Sequence, residues 1–372
     1  MNRVLIFYIV ENSGHHAAAR CLSAALSKLD PYVETRCVDL LKHTHPKWER
    51  IIQRMYMSTV RRTPELWEAL YDNFWVEHLT RRLRQMVQKG KGESLRRLMA
   101  EFSPDAVVCT QAYPLAVMSS FAARQALHVP LFGVTTDFVP HRFWITNNGS
   151  HALYVVPTES AAARLMWLGI DQSRIRILGI PVSVERPPAP RRPPRLPDER
   201  RILVMGGGRG MGVRYRTVRR LDACPEPFTI DVVCGTNRRL RKHLMRNHRK
   251  FKHRVRVRGY IRNAVALMSR ADLMLTKTEG MTLAEATCVG VPLLLVRSLP
   301  GQERGNTEVL VHHGAALHIR NEFDVTRSVT ALLNNQELLE IMRRNALALA
   351  RPDAADQIVR HVLDIIANGK PA

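Results

Sequence analysis

The sequence predicts an α/β protein made of two doubly wound, Rossmann-like domains that face a cleft. Three observations support this fold class. The chain has 372 residues, which is enough for two domains. Short β-branched runs alternate with helical patterns along most of it. The alternation stops between Pro181 and Pro197, which hold seven of the 21 prolines, and then starts again, as expected of an extended linker.

Six strands are predicted before the linker and five after it. They lie at 4–9, 33–38, 106–109, 129–134, 152–156, 175–179, 201–205, 230–234, 255–259, 273–276 and 291–296. The end of the chain has the pattern of two helices, over 332–350 and 353–367. We therefore expect an N-terminal domain over 1–180, a linker over 181–200, a C-terminal domain over 201–350 and a final helical segment over 351–372. Ligands are expected between the domains and at the carboxyl ends of strands.

The composition excludes a disordered or fibrous chain and indicates an anionic partner. Hydrophobic residues make up 45% of the chain, and the formal net charge is +23. Such a charge fits nucleic acid, an anionic membrane or a phosphorylated substrate. The six cysteines lack zinc spacing and are expected to be reduced thiols. The sequence has no signal-peptide pattern and no uncharged apolar run near about 20 residues, so any membrane contact is expected to be peripheral.

Two segments have an unusual composition. Residues 42–97 carry thirteen Lys or Arg against six acids and include Trp67 and Trp75, which is typical of an amphipathic helical insertion at a membrane surface. A packed helical pair is the alternative. Residues 238–258 carry eleven Lys or Arg and no acid. This second run raises the possibility of nucleic-acid binding, although Phe251 is its only aromatic residue and no known binding motif surrounds it.

The first strand is followed by Asn12-Ser13-Gly14-His15-His16 and then by an apolar helical pattern. His15 is therefore expected in the first turn of a helix. The partial positive charge at a helix N-terminus favours a neutral imidazole, which can accept a proton near pH 7. A surface or capping histidine is the alternative.

The strand at 201–205 is followed by five glycines within residues 206–212. Glycines allow backbone N–H groups to approach a phosphate, and the next helix would add its dipole. The spacing fits neither the dinucleotide fingerprint nor the P-loop. A flexible turn without a ligand is the alternative.

A third strand, turn and helix start is formed by residues 273–286. Thr282 and Glu285 have the spacing of a capping box, and the Glu285 carboxylate could equally bind a ribose diol. Residues 300–306 follow the next strand at its carboxyl end, and in isolation they indicate only a polar loop.

Taken in order, these segments resemble the glycolipid glycosyltransferases, the family of monogalactosyldiacylglycerol synthase and the processive diacylglycerol glucosyltransferase. The resemblance covers nearly the whole chain. It is carried by Gly14-His15, Thr136-Asp137-Phe138 with His141 and Trp144, Gly179-Ile180-Pro181, the loop 206–212, Gly259-Tyr260-Ile261 with Asn263, residues 277–286, and Pro300-Gly301-Gln302-Glu303 with Gly305-Asn306. It implies a glycosyltransferase B fold with the acceptor domain first, the UDP-sugar domain second and a C-terminal helix that crosses back.

The resemblance also implies roles for single residues. His15 would be the general base on the acceptor hydroxyl. The acceptor side would be formed by Asp137, His141 and Trp144. The donor site would be formed by Gly207, Gly208 and Gly210 at the diphosphate, Tyr260 and Ile261 at the uracil, Glu285 at the ribose, Gln302 and Glu303 at the sugar and nucleotide, and Thr282 and Asn306. The family inverts the anomeric carbon.

Two features bear on the charge of the donor site. The chain contains no Asp-x-Asp, so we expect no metal cofactor, and helix N-termini and basic side chains would stabilise the leaving group. The chain also departs from the family, because Arg209 replaces a common acid and Glu279 replaces a glycine. We hypothesise an Arg209–Glu279 ion pair, with two independent solvated substitutions as the alternative.

The predicted function is transfer of a hexose from a UDP-sugar to diacylglycerol or a related lipid. The expected location is the cytoplasm, peripherally on the anionic inner face of the cell membrane. The stretch from Thr136 to Trp144 favours this lipid branch. Alternatives with the same fold are a UDP-N-acetylglucosamine transferase or 2-epimerase. Nucleic-acid binding is a remote alternative, and nucleic acid is not an expected partner.

Overall fold

The computed structural model describes residues 1–44, 92–125, 128–145, 152–182, 184, 200–296 and 302–369. The chain divides into two compact units. The first contains Met1–Ser183 and Asp353–Ala372, and the second contains Val184–Leu299 and Glu303–Pro352.

The first unit is a six-stranded parallel sheet in the order β2-β1-β3-β4-β5-β6. Its strands are β1 (Arg3–Tyr8), β2 (Glu34–Asp39), β3 (Ala106–Cys109), β4 (Leu131–Val134), β5 (Ala152–Val156) and β6 (Ile175–Ile177). Its helices before the linker are α1 (Gly14–Leu29), α2 (Leu40–Thr44), α3 (Gly92–Phe102), α4 (Ala112–Gln125) and α5 (Glu159–Trp167).

The second unit is another six-stranded parallel sheet, in the order β12-β11-β10-β7-β8-β9. Its strands are β7 (Arg201–Met205), β8 (Thr229–Val233), β9 (Arg254–Arg258), β10 (Leu273–Thr276), β11 (Leu293–Val296) and β12 (Ala316–Ile319). Its helices are α6 (Tyr215–Asp222), α7 (Arg238–Arg246), α8 (Val265–Met268), α9 (Gly280–Cys288), α10 (Gln302–His312), α11 (Val325–Leu333) and α12 (Gln336–Ala348). The last helix, α13 (Ala354–Ala367), belongs to the first unit.

Strand β1 shows why the sheets form where they do. Its side chains alternate between two cores, because neighbouring residues of a strand point to opposite faces. Val4 and Ile6 pack with residues of α1 and α13, and Leu5 and Phe7 pack with α3 and α4 on the other face. A strand covered by helices on both faces has a continuous hydrophobic sequence, as β1 does.

The order of strands creates a switch point in each sheet. β1 lies between β2 and β3, and β7 lies between β8 and β10. In each sheet the chain leaves two neighbouring strands, β1 and β3 or β7 and β10, towards opposite faces. This opens a crevice at the carboxyl ends of the two strands, where α/β proteins bind ligands. In the first unit this crevice is bordered by the loops after β1 and β3, and in the second by the loops after β7 and β10.

The elements differ from the prediction in two places. Strand β12 was not predicted, because its four residues include the polar His318. The helix predicted over 332–350 is present but begins later, since α11 ends at Leu333 and α12 starts at Gln336. Asn335 causes the break, because its side chain accepts the Leu338 N–H at 2.9 Å as an N-cap.

Several predictions fall outside the described residues. They concern Trp67, Trp75 and most of the insertion over 42–97, and the linker residues 185–199. Within the described ranges, no helix has the length and apolar character needed to cross a bilayer.

Candidate active site

In the first unit, helix α1 starts directly after a strained turn. Val10 and Asn12 have φ angles of 72° and 58°, in the left-handed region that β-branched residues avoid. The turn is held by the Val10 N–H, which donates to Asp39 Oδ2 at 3.0 Å, and by Ser13 Oγ, which donates to Val10 O at 2.6 Å. Ser13 also caps α1 by accepting the His16 N–H at 3.2 Å. These contacts fix the direction in which α1 leaves the sheet.

His15 lies in the first turn of α1, at the switch point. Its Nδ1 lies 3.0 Å from the backbone oxygen of Thr110, after β3, and 2.8 Å from Thr136 Oγ1, after β4. A carbonyl oxygen can only accept, so this contact favours a proton on Nδ1, and the Thr136 hydroxyl then accepts from the same N–H. In that tautomer Nε2 is the nitrogen that can take up a proton. The Thr110 backbone oxygen therefore orients the ring of His15 for a role as a base.

The residues expected on the acceptor side occupy different depths of the loop after β4. Asp137 is half-buried, His141 is buried, and Trp144 is only 1% exposed. The Trp144 ring lies over Gly133, where an added methyl group would also meet Leu115. The structure therefore gives Trp144 a packing role beneath the loop, whereas Asp137 lies nearer the surface.

In the second unit, the glycine loop over residues 206–212 packs closely against its neighbours. Gly207, Gly210 and Gly212 have φ angles of 69°, 62° and 100°. A methyl group on Gly210 would overlap the backbone oxygen of Cys234. The loop is closed by the Gly210 N–H, which donates to Gly207 O at 3.0 Å. The glycines are thus required by backbone conformation and close approach, beyond any need for flexibility.

Two features of this loop bear on the donor-side expectations. Gly208 is half-buried, and its oxygen accepts the Thr236 N–H at 3.0 Å. Helix α6 begins only at Tyr215, after the loop has ended. Its N-terminus therefore lies three residues beyond Gly212, so the donor groups that the loop itself can offer to a ligand are backbone N–H groups.

The loop after β10 faces the glycine loop and carries an ion pair. Lys277 Nζ lies 3.3 Å from Glu279 Oε2, and the two side chains are 11% and 24% exposed. Glu279 Oε2 lies where a methyl group on Gly207 would be. The structure shows Lys277 beside Glu279, and the Arg209–Glu279 pair stays a hypothesis. Glu279 is therefore paired and only partly exposed, unlike a fully solvated substitution.

Glu285 lies inside helix α9, which starts at Gly280 with Glu279 as its N-cap residue. Thr282 is buried within the same helix, so the capping-box interpretation of Thr282 and Glu285 is wrong. Burial, together with the charge of the nearby Glu279 carboxylate, raises the pKa of Glu285 to about 7. The Glu285 carboxyl is left available for a ligand hydroxyl.

The remaining donor-side residues play different parts. Asn306 is fully buried in α10, and its Nδ2 donates to Thr278 O at 3.0 Å, so it positions the loop after β10. Tyr260, after edge strand β9, is 47% exposed and Ile261 is half-buried. Gln302 and Glu303 begin α10, and their side chains lie outside the described part of the structure.

The free energy of unfolding should depend on pH because of the raised pKa of Glu285. Unfolded Glu285 loses its proton near pH 4.5, whereas the folded residue keeps it up to about pH 7. The unfolded state therefore binds fewer protons between these values, and stability falls as pH rises. Relative to wild type, the free energy of unfolding of Glu285→Gln should rise by up to about 3 kcal/mol between pH 4.5 and 7.5. Thermal unfolding across this range measures the gain, and parallel curves for the two proteins would contradict it.

No three His, Cys, Asp or Glu side chains of the described residues come together as a metal ion would require.

Two family models match the chain on either side of the linker. The first, monogalactosyldiacylglycerol (MGDG) synthase, matches residues 15–182, and the second, the glycosyltransferase family 28 C-terminal domain, matches residues 201–358. The chain belongs to the glycolipid glycosyltransferase family. A processive diacylglycerol beta-glucosyltransferase of Bacillus subtilis is 26% identical over 368 residues, which cover 97% of this chain and 94% of the relative.

Solved structures share the fold of this glycolipid glycosyltransferase. MurG of Acinetobacter baumannii is similar with a TM-score of 0.65 and 16% identity, over 98% of this chain and 100% of that one. A putative UDP-N-acetylglucosamine 2-epimerase from Listeria monocytogenes has a TM-score of 0.65 and 16% identity, over 100% of this chain and 98% of that one. The predicted glycosyltransferase B fold is confirmed by these structures together with the two parallel sheets.

The motifs of the glycolipid glycosyltransferase meet at the two switch points. In the first unit, the Gly14-His15 motif contacts Thr136 of the Thr-Asp-Phe motif. In the second, the glycine loop contacts the Lys277–Glu279 segment. Sequence analysis did not find the Thr110 oxygen or Lys277 as partners, because a backbone atom leaves no sequence signal and a lysine after a strand is common.

Proposed function

We propose that this chain is an inverting hexosyltransferase that moves a sugar from a UDP-sugar to the hydroxyl of diacylglycerol. The observation that carries the proposal is the His15 tautomer, with Nδ1–H held by the Thr110 oxygen and Nε2 as the basic nitrogen. An imidazole prepared in this way is suited to remove a proton from a hydroxyl nucleophile. The name of the Bacillus subtilis relative supports diacylglycerol as the acceptor.

The proposed reaction is a single displacement. The acceptor oxygen attacks the anomeric carbon as His15 Nε2 takes its proton, and the bond from that carbon to the UDP oxygen breaks. The departing diphosphate is stabilised by N–H groups of the glycine loop and by Lys277, which need no reorganisation when charge develops. Glu285 accepts hydrogen bonds from the ribose. No metal cofactor is part of this proposal.

The first experiment is product analysis with purified protein, vesicles containing diacylglycerol, and a panel of UDP-glucose, UDP-galactose, UDP-glucuronate and UDP-N-acetylglucosamine. We expect one donor to yield UDP and a glycosylated lipid that depends on the vesicles. A 2-epimerase would instead change the configuration of UDP-N-acetylglucosamine without any acceptor. That outcome would replace the proposed transferase.

We further propose that the enzyme acts peripherally at the anionic inner face of the cell membrane. The net charge of +23 favours such a surface. On the second unit, α7 and β9 present exposed basic residues, among them Arg239, Lys242 and Arg246 on one face of α7. On the first unit, Trp167 is 77% exposed at the end of α5, a position that the sequence did not single out. An exposed Trp can insert at the level of lipid headgroups.

Binding to vesicles is expected to rise with the fraction of anionic lipid and to fall with salt. Each basic residue near the surface contributes about 1 kcal/mol, and salt screens this attraction. Co-sedimentation at two salt concentrations should show a loss of about tenfold or more. The binding that remains at high salt should decrease in Trp67→Ala and Trp75→Ala and persist in the control Phe323→Ala, an exposed aromatic residue of the second unit. Binding that ignores lipid charge and salt would contradict the electrostatic part.

A further inference from the structure

The Lys277–Glu279 pair lies against the glycine loop, which binds the donor diphosphate in the proposed function. Glu279 Oε2 lies against Gly207, and the Lys277 side chain lies against Gly212, so the pair covers both ends of the glycine loop. Its members are separated by 3.3 Å and little exposed. A carboxylate in this place opposes a phosphate, because two like charges in contact disfavour each other.

The carboxylate also has a role in the ion pair with Lys277. A mostly buried lysine without a counter-ion pays a large desolvation cost and loses its proton or its position. Glu279 supplies that counter-ion. It comes from the N-cap position of α9 and makes no side-chain capping bond to the helix, so its carboxylate is not needed there. The other nearby carboxyl is Glu285. Its pKa is raised by burial and by the charge of Glu279.

We propose that Glu279 is an internal stand-in for the donor phosphate, which holds Lys277 against the glycine loop and moves away from the loop when a nucleoside diphosphate binds. The inference rests on the proposed use of a nucleotide-sugar donor. As a consequence, Glu279 weakens donor binding but keeps Lys277 in a preformed position.

The test compares ligands that carry and lack phosphate. UDP and uridine are titrated by calorimetry into wild type, Glu279→Gln and Glu279→Gly. Both variants are expected to bind UDP more tightly by about fivefold to a hundredfold, the usual range of coupling between two linked events. Uridine affinity should stay within about twofold, because only the phosphate competes with the carboxylate. Glycine is a tolerated N-cap residue, so the second variant guards against a fold defect of the first.

The control is Glu340→Gln, which also removes one acid from an ion pair of the second unit, with Arg343 at 3.6 Å. It should bind UDP as wild type does. Unchanged or weaker UDP binding in both Glu279 variants would overturn the inference, as would an equal gain for uridine. Wild-type protein that binds no UDP would overturn the proposed donor class as well, which separates the two failures.

Discussion

Replacement of His15 by alanine is expected to lower kcat by about 10²- to 10⁴-fold, the usual range for loss of a general base. The affinity for UDP should stay within about twofold, because the proposed donor contacts come from the second unit. The reason for a large effect is that His15 is already in the reactive tautomer, with its Nδ1–H held by the Thr110 oxygen at 3.0 Å. Steady-state kinetics with the active donor and calorimetry with UDP measure the two quantities.

His16 provides the matched control for this variant. It lies in the same turn, its ring stacks on Tyr8 with a centroid distance of 4.5 Å, and its Nδ1 accepts the Asn12 N–H at 3.2 Å. His16→Ala therefore tests the turn without removing the proposed base, and kcat should fall far less. If His15→Ala keeps kcat within a few-fold of wild type, or if it abolishes UDP binding, His15 is not the base.

Replacement of Gly210 by alanine should nearly abolish donor binding. The residue has a φ of 62°, and the new methyl group would overlap the backbone oxygen of Cys234, which cannot move without shifting strand β8. We expect the UDP affinity to fall at least about tenfold and the unfolding free energy to fall by about 2–4 kcal/mol, because strain and overlap act together.

Gly169→Ala separates these two causes. Gly169 also has a positive φ, of 94°, but an added methyl group would meet nothing within 4 Å. The Gly169→Ala variant should therefore lose only about 1–2 kcal/mol of unfolding free energy and keep the UDP affinity of wild type. Thermal unfolding and UDP calorimetry on the two variants measure the difference. Equal behaviour of both variants would show that close packing of the loop does not matter for the donor.

The sheets were predictable because buried parallel strands leave a strong signal. β3, β5, β7 and β10 begin and end at the predicted residues, since each is a short apolar run between turn residues. β12 was missed for the opposite reason, because a polar histidine interrupts it. The break between α11 and α12 depends on the side chain of Asn335, whose capping bond competes with a continuous helix.

The site was predictable in its residue types but not in its partners. The position of His15 in the first helical turn followed from Ser13-Gly14 after an apolar strand. Its tautomer depends on a backbone oxygen 95 residues away, which has no sequence signal. Likewise, Glu279 was recognised as an unusual acid, yet its partner Lys277 became clear only from the geometry of the loop after β10. Short-range patterns predict elements, and contacts between strand ends require the fold.

The most direct test of the proposed mechanism is the anomeric configuration of the lipid product, read by proton NMR. The sugar in UDP-hexose donors is α-linked, and a single displacement with His15 as base inverts that carbon. We therefore expect a β-glycosyl diacylglycerol from the donor that wild-type protein uses. An α-linked product, or consumption of the UDP-sugar with no glycolipid formed in the presence of diacylglycerol, would contradict it.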